Sequence, residues 1–233
     1  MRWPWRHGPQ ARRESALREA APGPLHDYLS VPFPDDAVPL AELPLLALDL
    51  ETTGLDLRRD RVLSAGFVPV DGLRIDLSGA RHLVVRDEGG VGQSATVHGL
   101  TDDVVAAGEP LEDVVAAVLE ALRGRALLAH FARIEVGFLD AVCRQRWGTG
   151  MPCVVVDTLD LERRAHSNPW GPPADVAGGL RLFRARERRG LPQYKAHHAL
   201  VDALACGELY LAQAADLVAA SPGTSPTLRH VAA

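Results

Sequence analysis

The sequence predicts an α/β fold in which a mixed sheet of about five strands is flanked by helices on both faces. Three observations predict it. Apolar runs rich in leucine and valine crowd together between residues 45 and 86, with turn signals between them, as neighbouring strands require. After residue 109 the apolar residues recur at helical spacing. These helical stretches alternate with short apolar runs at 125–130 and 153–157, the pattern of parallel strands joined by helical crossovers.

Taken in order, residues 1–40 are an extension rich in arginine and punctuated by proline and glycine, read as a mobile arm with one short helix near 12–20. Its Trp3 and Trp5 could stack on bases or dock on a partner, though a solvated tail explains them more simply. The main domain is expected over 41–218. Its first strands are 45–51, 61–70 and 73–77, the last two joined at Asp71-Gly72, a hairpin turn signal, and an edge strand follows at 81–86. Residues 109–124 form a helix, with Pro110 near its start, apolar residues at 111, 114, 115, 118, 119 and 122, and Gly124 as a stop. The strand at 125–130 leads into a helix over 131–146, and the strand at 153–157 into a helix near 158–165. A Pro- and Gly-rich loop containing Trp170, a basic segment at 181–195 and a strong helix over 196–218 complete the domain. Residues 219–233 read as a disordered tail.

Composition narrows the function. An apolar fraction of 47% and a charged fraction of 24% suit a globular chain, and no apolar run is long enough to span a bilayer. The arginines near the start are not followed by the apolar stretch of a secretory signal, so a cytoplasmic protein with no membrane partner is expected. Cys143, Cys153 and Cys206 lack C-x-x-C spacing, which argues against a disulfide framework and a thiolate zinc site. A net charge of -5 does not suit a uniformly basic nucleic-acid coat, so such a partner would be held locally, by a patch or by metal ions.

The chemistry is carried by acids placed where a core belongs. In "LLALDLETTG" the alternation of a strand puts Asp49 and Glu51 on one face with Leu45 and Ala47. Two neighbouring carboxylates at the end of an apolar strand repel each other and lose hydration, which a hard divalent cation would offset. On the helix expected from Phe131, Glu135 falls in one stripe with Phe131, Phe138, Leu139 and Val142, while Asp140 faces away. On the last helix Asp202 shares a face with Ala199, Ala205, Cys206 and Leu209, small neighbours that leave room beside it. Each acid alone has an ordinary explanation as a paired or solvated residue. Four of them converging from three elements suit a two-metal site that hydrolyses a phosphodiester.

The motifs "DLETTG", "VHGLTDD", "AHFARIEVGFL", "VVDTL" and "HHALVDA" resemble, in order and spacing, those of the DEDD exonucleases with a catalytic histidine, the family of the proofreading epsilon subunit of bacterial DNA polymerase III. The resemblance covers about residues 45–215. It implies a ribonuclease H-like fold, two Mg²⁺ or Mn²⁺ ions, and removal of nucleoside 5'-monophosphates from a 3' end, with DNA favoured over RNA and a polymerase or repair partner. It implies Asp49, Glu51, Glu135 and Asp202 as metal ligands and His197 as general base. It also implies that the backbone of Thr52, Thr53 and Gly54, together with Leu55 and His98, lines the pocket for the terminal nucleotide.

Two features depart from that family's pattern or strain it. The second motif usually reads H-N-A-x-F-D, whereas here Phe131 stands for the Asn and Glu135 for the Asp, moving the charge by one methylene. Regular helical spacing pairs His198 with Asp202, so His197 can serve only if it lies in the loop ahead of the helix. The basic run 181–195 could bind the incoming strand, although a solvated helix face explains it about as well. An aspartyl phosphatase is set aside because its motif is D-x-D-x-T and the second acid here is Glu51. An exoribonuclease and a non-catalytic nucleic-acid-binding module remain as alternatives.

Overall fold

The structure, a computed structural model, describes residues 8–86, 107–166, 179–195 and 197–233. Its centre is β1 (Pro44–Thr52), in which Leu45, Leu46, Ala47 and Leu48 are buried on both faces. A strand covered on both sides shows no polar alternation, which explains its continuous leucine run. Strand β2 (Val62–Asp71) pairs with β1 antiparallel and carries β3 (Arg74–Ile75) and β4 (Arg81–Val84) on its outer side. The β2–β3 loop is Gly72-Leu73, with Gly72 at φ +61°, the left-handed first position that a type II′ hairpin turn demands. On the other side of β1, β5 (Ala126–Ala129) and then β6 (Val155–Asp157) continue the sheet in parallel. The mixed sheet expected from the sequence is therefore present, with six strands among the described residues where about five were expected.

Helices cover both faces of this sheet. The amphipathic helix α3 (Leu111–Leu122) packs on β1 and β2, burying Val114, Val115, Val118, Leu119 and Leu122. Helix α4 (Arg133–Trp147) packs on α3, and α5 (Thr158–His166) follows β6 directly. The short α6 (Leu182–Arg188) leads to the long α7 (Ala199–Ala219), which lies across β1 and β2. No helix among the described residues is long and apolar enough to cross a membrane.

Both chain ends depart from the sequence expectation. The segment read as a mobile arm holds two helices, α1 (Pro9–Glu19) and α2 (Pro24–Ser30), whose Ala16, Leu25, Tyr28 and Leu29 are buried in the main core. The Tyr28 hydroxyl donates to the Pro152 carbonyl at 2.9 Å. Pro9 and Pro24, which read as loop punctuation, are first-turn prolines, a position where the missing N–H costs nothing. Trp3 and Trp5 lie outside the described residues, as does Trp170.

The segment read as a disordered tail contains α8 (Leu228–Val231), with Leu228 and Val231 fully buried and a Thr227/His230 capping box at its start. Beyond it Ala232 bridges Val156, and the Ala233 N–H donates to Val155, so the tail runs along the outer edge of β6. Two apolar residues three apart were too short a signal to read as a helix, yet the exposed strand edge gives the segment backbone partners.

Candidate active site

The site forms where β1 outruns its neighbour. Strand β5 pairs with β1 from Leu45 to Ala47 and stops two residues short of Asp49. On the other side the β1–β2 register shifts between Glu51 and Thr52, a bulge of the kind that re-aims side chains beside active sites. The Leu50 N–H, beyond the reach of β5, donates to the carboxylate of Glu135. Glu135 lies in the first turn of α4, where the helix dipole favours a negative charge.

Asp202 arrives from the opposite layer because Gly66 lets it. Gly66 is the cross-strand partner of Asp49, so the two share a face. A Cβ at Gly66 would stand 2.0 Å from the Leu200 nitrogen and 2.1 Å from the Ala199 carbonyl carbon. The first turn of α7 thus sits directly on the β2 backbone and lowers Asp202 toward β1. The result is a cluster in which Asp49, Glu51 and Asp202 each offer a carboxylate oxygen, all within 4.8 Å of one another.

Glu135 lies outside that 4.8 Å set but faces it electrostatically. Burial first, then the charges of Glu135, Asp202 and Glu51 in that order, hold the Asp49 carboxyl well above the usual carboxylate range. Glu51 is pushed up to about 7, by burial and then Asp202, with His197 and His198 opposing. Glu135 is pushed up to about 8, chiefly by burial. Asp202 is also raised by burial, against hydrogen bonds from the backbone of His197 and His198. Glu135 is only 4% exposed, and its Oε2 has no hydrogen-bond partner among the described residues. A buried carboxylate oxygen with no protein donor, beside three other acids, is the all-oxygen donor set that a hard cation takes, so the residues fit divalent metal ions.

His197 lies in the loop ahead of α7, as the resemblance required. Its backbone is left-handed, φ +69°, and its N–H donates to Asp202 Oδ2 at 2.8 Å. His198 is the residue just before the helix, and its ring packs on His82 of β4 with centroids 4.3 Å apart. His130 is half-buried, bonded to Thr158 Oγ1 at 2.8 Å and the Leu180 carbonyl at 2.9 Å, and desolvation of its ring lowers its pKa to about 4. It is a structural residue.

The loop after β1 presents the remaining expected residues. Thr52 Oγ1 donates to the Gly54 carbonyl at 2.7 Å, Thr53 Oγ1 to Asp60 at 2.9 Å, and Leu55 is 70% exposed at the tip. A Cβ on Gly54 would meet the Asp60 carboxylate at 2.4 Å, so Gly54 is required by this tight turn. His98 lies outside the described residues.

Three functional features escaped the sequence reading. Asp157, buried at the end of β6, accepts the N–H groups of Phe131, Ala132 and Leu159 at 2.9–3.0 Å and so fixes the entry to α4. Its signal was present, an acid closing an apolar strand as Asp49 does. Asp60 organises the Thr53–Gly54 turn, and Gly66 carried the signal of an isolated glycine within a strand, which marks close backbone approach. Phe131 corrects an expectation. It is not on the buried stripe with Glu135 but precedes the helix at φ +75°, 39% exposed.

The basic run 181–195 is largely committed to the fold. Arg188 and Arg189 pair with the fully buried Glu162 at 3.0 and 2.5 Å, Arg184 pairs with Glu187 at 2.6 Å, and Arg186 pairs with Glu208 at 2.7 Å. These arginines are not a free track for a phosphate backbone.

Comparison with known proteins places this arrangement. The RNase_T exonuclease family model matches residues 46–210. Among curated relatives, a PolC-type DNA polymerase III of Thermotoga petrophila is 25% identical over 71% of this chain, which spans 11% of that protein. The DNA polymerase III epsilon subunit of Treponema pallidum is 28% identical, over 70% of this chain and 73% of the relative. Among solved structures, the nuclease domain of 3'hExo, a DEDDh family member bound to rAMP, matches with a TM-score of 0.60 and 14% identity, covering 74% of this chain and 92% of that one. Escherichia coli exonuclease I in complex with a dT13 oligonucleotide matches with a TM-score of 0.59 and 17% identity, over 76% of this chain and 41% of that one. These likenesses extend to the ribonuclease H-like fold.

Proposed function

Since this chain belongs to the exonuclease family, as a DEDD member, we propose that it hydrolyses the terminal phosphodiester at the 3' end of single-stranded or frayed DNA and releases nucleoside 5'-monophosphates. The observation that carries the reading is the meeting of Asp49, Glu51 and Asp202 within 4.8 Å beneath the His197 loop. A partly hydrated acid cluster with a histidine beside it can hold cations and move one proton, which is what metal-assisted hydrolysis needs.

In this reading Asp49, Glu51, Asp202 and Glu135 hold two Mg²⁺ or Mn²⁺ ions. When bound, the ions activate a water and stabilise the departing 3' oxygen. The imidazole of His197 accepts the proton of the attacking water, and its exposed position at the cluster rim lets it return that proton to solvent. Glu135, one methylene longer than the family's aspartate, faces the cluster from the first turn of α4. The Thr52–Gly54 turn and the exposed Leu55 receive the terminal nucleotide, Leu55 offering an apolar surface to its base. The relatives' naming as DNA polymerase III components favours DNA over RNA and a polymerase or repair partner.

The test is digestion of a 5'-labelled single-stranded DNA oligonucleotide with Mg²⁺ or Mn²⁺, beside EDTA, His197→Ala and Asp49→Ala controls and a matched RNA. A ladder shortening from the 3' end, lost in all three controls, supports the reading. Preferential shortening of the RNA would reassign the substrate, and intact DNA and RNA would leave a non-catalytic binding module.

A further inference from the structure

The basic run also contains a side chain buried between α6, α7 and the loop that follows α6. Arg186 is 2% exposed and donates to three acceptors: the Ala205 carbonyl at 2.6 Å and Glu208 Oε2 at 2.7 Å, both on α7, and the Pro192 carbonyl at 2.6 Å. Tyr194 completes the group, its hydroxyl donating to Glu208 Oε1 at 2.9 Å and its ring lying 4.8 Å from the guanidinium carbon. We infer that Arg186, Glu208 and Tyr194 form a brace that positions His197 against Asp202. The inference rests on the exonuclease reading for the role of His197.

The argument is one of attachment points. Pro192 and Tyr194 stand five and three residues before His197, and the brace ties both to α7 at positions 205 and 208. Past the loop, the His197 N–H is bonded to Asp202 on the same helix. The histidine segment is therefore fastened at both ends to the element that carries an acid of the cluster.

The fastening has a cost to meet. A non-glycine residue at φ +69° is strained and persists only where its surroundings over-determine it. Docking of α6 does not rest on this group alone, because Arg188 and Arg189 also tie its end to Glu162 of α5. Removing one bond of the brace at its exposed end should thus free the loop without undocking the helix.

Tyr194→Phe keeps the ring and removes the bond to Glu208, at a residue exposed enough that folding is not at stake. We expect kcat on single-stranded DNA with Mn²⁺ to fall about 10-fold, as loosened positioning of a reacting group does, with KM and the melting temperature unchanged. In a His197→Ala background, whose residual turnover is followed with enzyme in large excess over long digestions, the same substitution should bring no further loss, because a brace that acts through His197 has nothing left to position. The His197 ring ¹H–¹³C resonance should broaden in the variant. An unchanged kcat, or an equal fall in both backgrounds, overturns the proposal. If the wild type shows no turnover at all, the exonuclease reading fails separately, and the resonance decides: broadened, the brace stands; unchanged, it does not.

Discussion

Replacing Gly66 by alanine tests how the site is assembled. The new Cβ would stand 2.0 Å from the Leu200 nitrogen, 2.1 Å from the Ala199 carbonyl carbon and 2.4 Å from the Leu200 Cα, all backbone atoms that no side-chain rotation can move. Ordinary contact begins at 3.4 Å, so the first turn of α7 must retreat by about 1.4 Å. Asp202 is two residues along that turn and His197 three residues before Leu200, so both move relative to Asp49, which stays opposite residue 66 in the ladder. Overpacking of this kind costs about 1–3 kcal/mol. A misplacement near 1 Å can cost a reaction about 10²-fold. We therefore expect kcat for 3'-end shortening of single-stranded DNA to fall about 10²-fold, and the melting temperature to fall by about 2–4 °C for each kcal/mol lost. Gly207→Ala is the control on the same helix, since its Cβ would meet only side-chain atoms at 3.4–3.8 Å. It should keep wild-type kcat and gain up to about 1 kcal/mol from helix propensity. A Gly66→Ala enzyme turning over within twofold of wild type would refute the claim that this contact sets the acid cluster.

Further outcomes follow from the same geometry. Glu51 and Glu135 titrate near 7 and 8 in the folded chain against 4.5 when unperturbed, so the folded state binds more protons across that interval. Stability without metal should therefore fall as pH rises from about 4.5 to 8. His130, depressed to about 4, acts oppositely below its ordinary value of 6.5, so urea melts in EDTA between pH 6.5 and 8.5 isolate the acids. Millimolar Mn²⁺ should abolish that decline, and a flat profile in EDTA would contradict the buried charge cluster. Phe131→Asn suits the left-handed backbone, a gain of about 1 kcal/mol, but gives up a ring that is only 39% exposed, so a net loss of about 1–2 kcal/mol is expected in a denaturant titration. A gain of stability there would show that backbone strain outweighs the packing of the ring. Glu162→Ala leaves Arg188 and Arg189 without their buried partner and should cost about 3–5 kcal/mol, read from the same titration. A cost below 1 kcal/mol would mean the cluster is solvated.

Much of this protein was legible before any coordinate. Periodicity distinguishes strand from helix wherever one face is buried, so the β1 acids, the α3 stripe and the inward face of Asp202 could be read directly. Glu135 was visible for the same reason, as a charge on an apolar stripe. The order of motifs then identified the family, because metal chemistry needs particular residue types at particular element ends.

What the sequence alone could not decide was everything set by contact between distant segments. Polar, proline-marked stretches look alike whether solvated or docked, and only packing of Tyr28 and Leu29 into the core, and of the tail along β6, shows that both ends are folded. A basic run reads the same whether its arginines meet phosphate or Glu162 and Glu208, since local charge says nothing of a partner far along the chain. The sequence by itself determined which groups can bind metal and accept a proton, because that is a property of side-chain chemistry. Tertiary structure decided that Gly66 brings Asp202 to Asp49 and that His197 stands outside its helix, because distances between elements are fixed by packing, which no single element encodes.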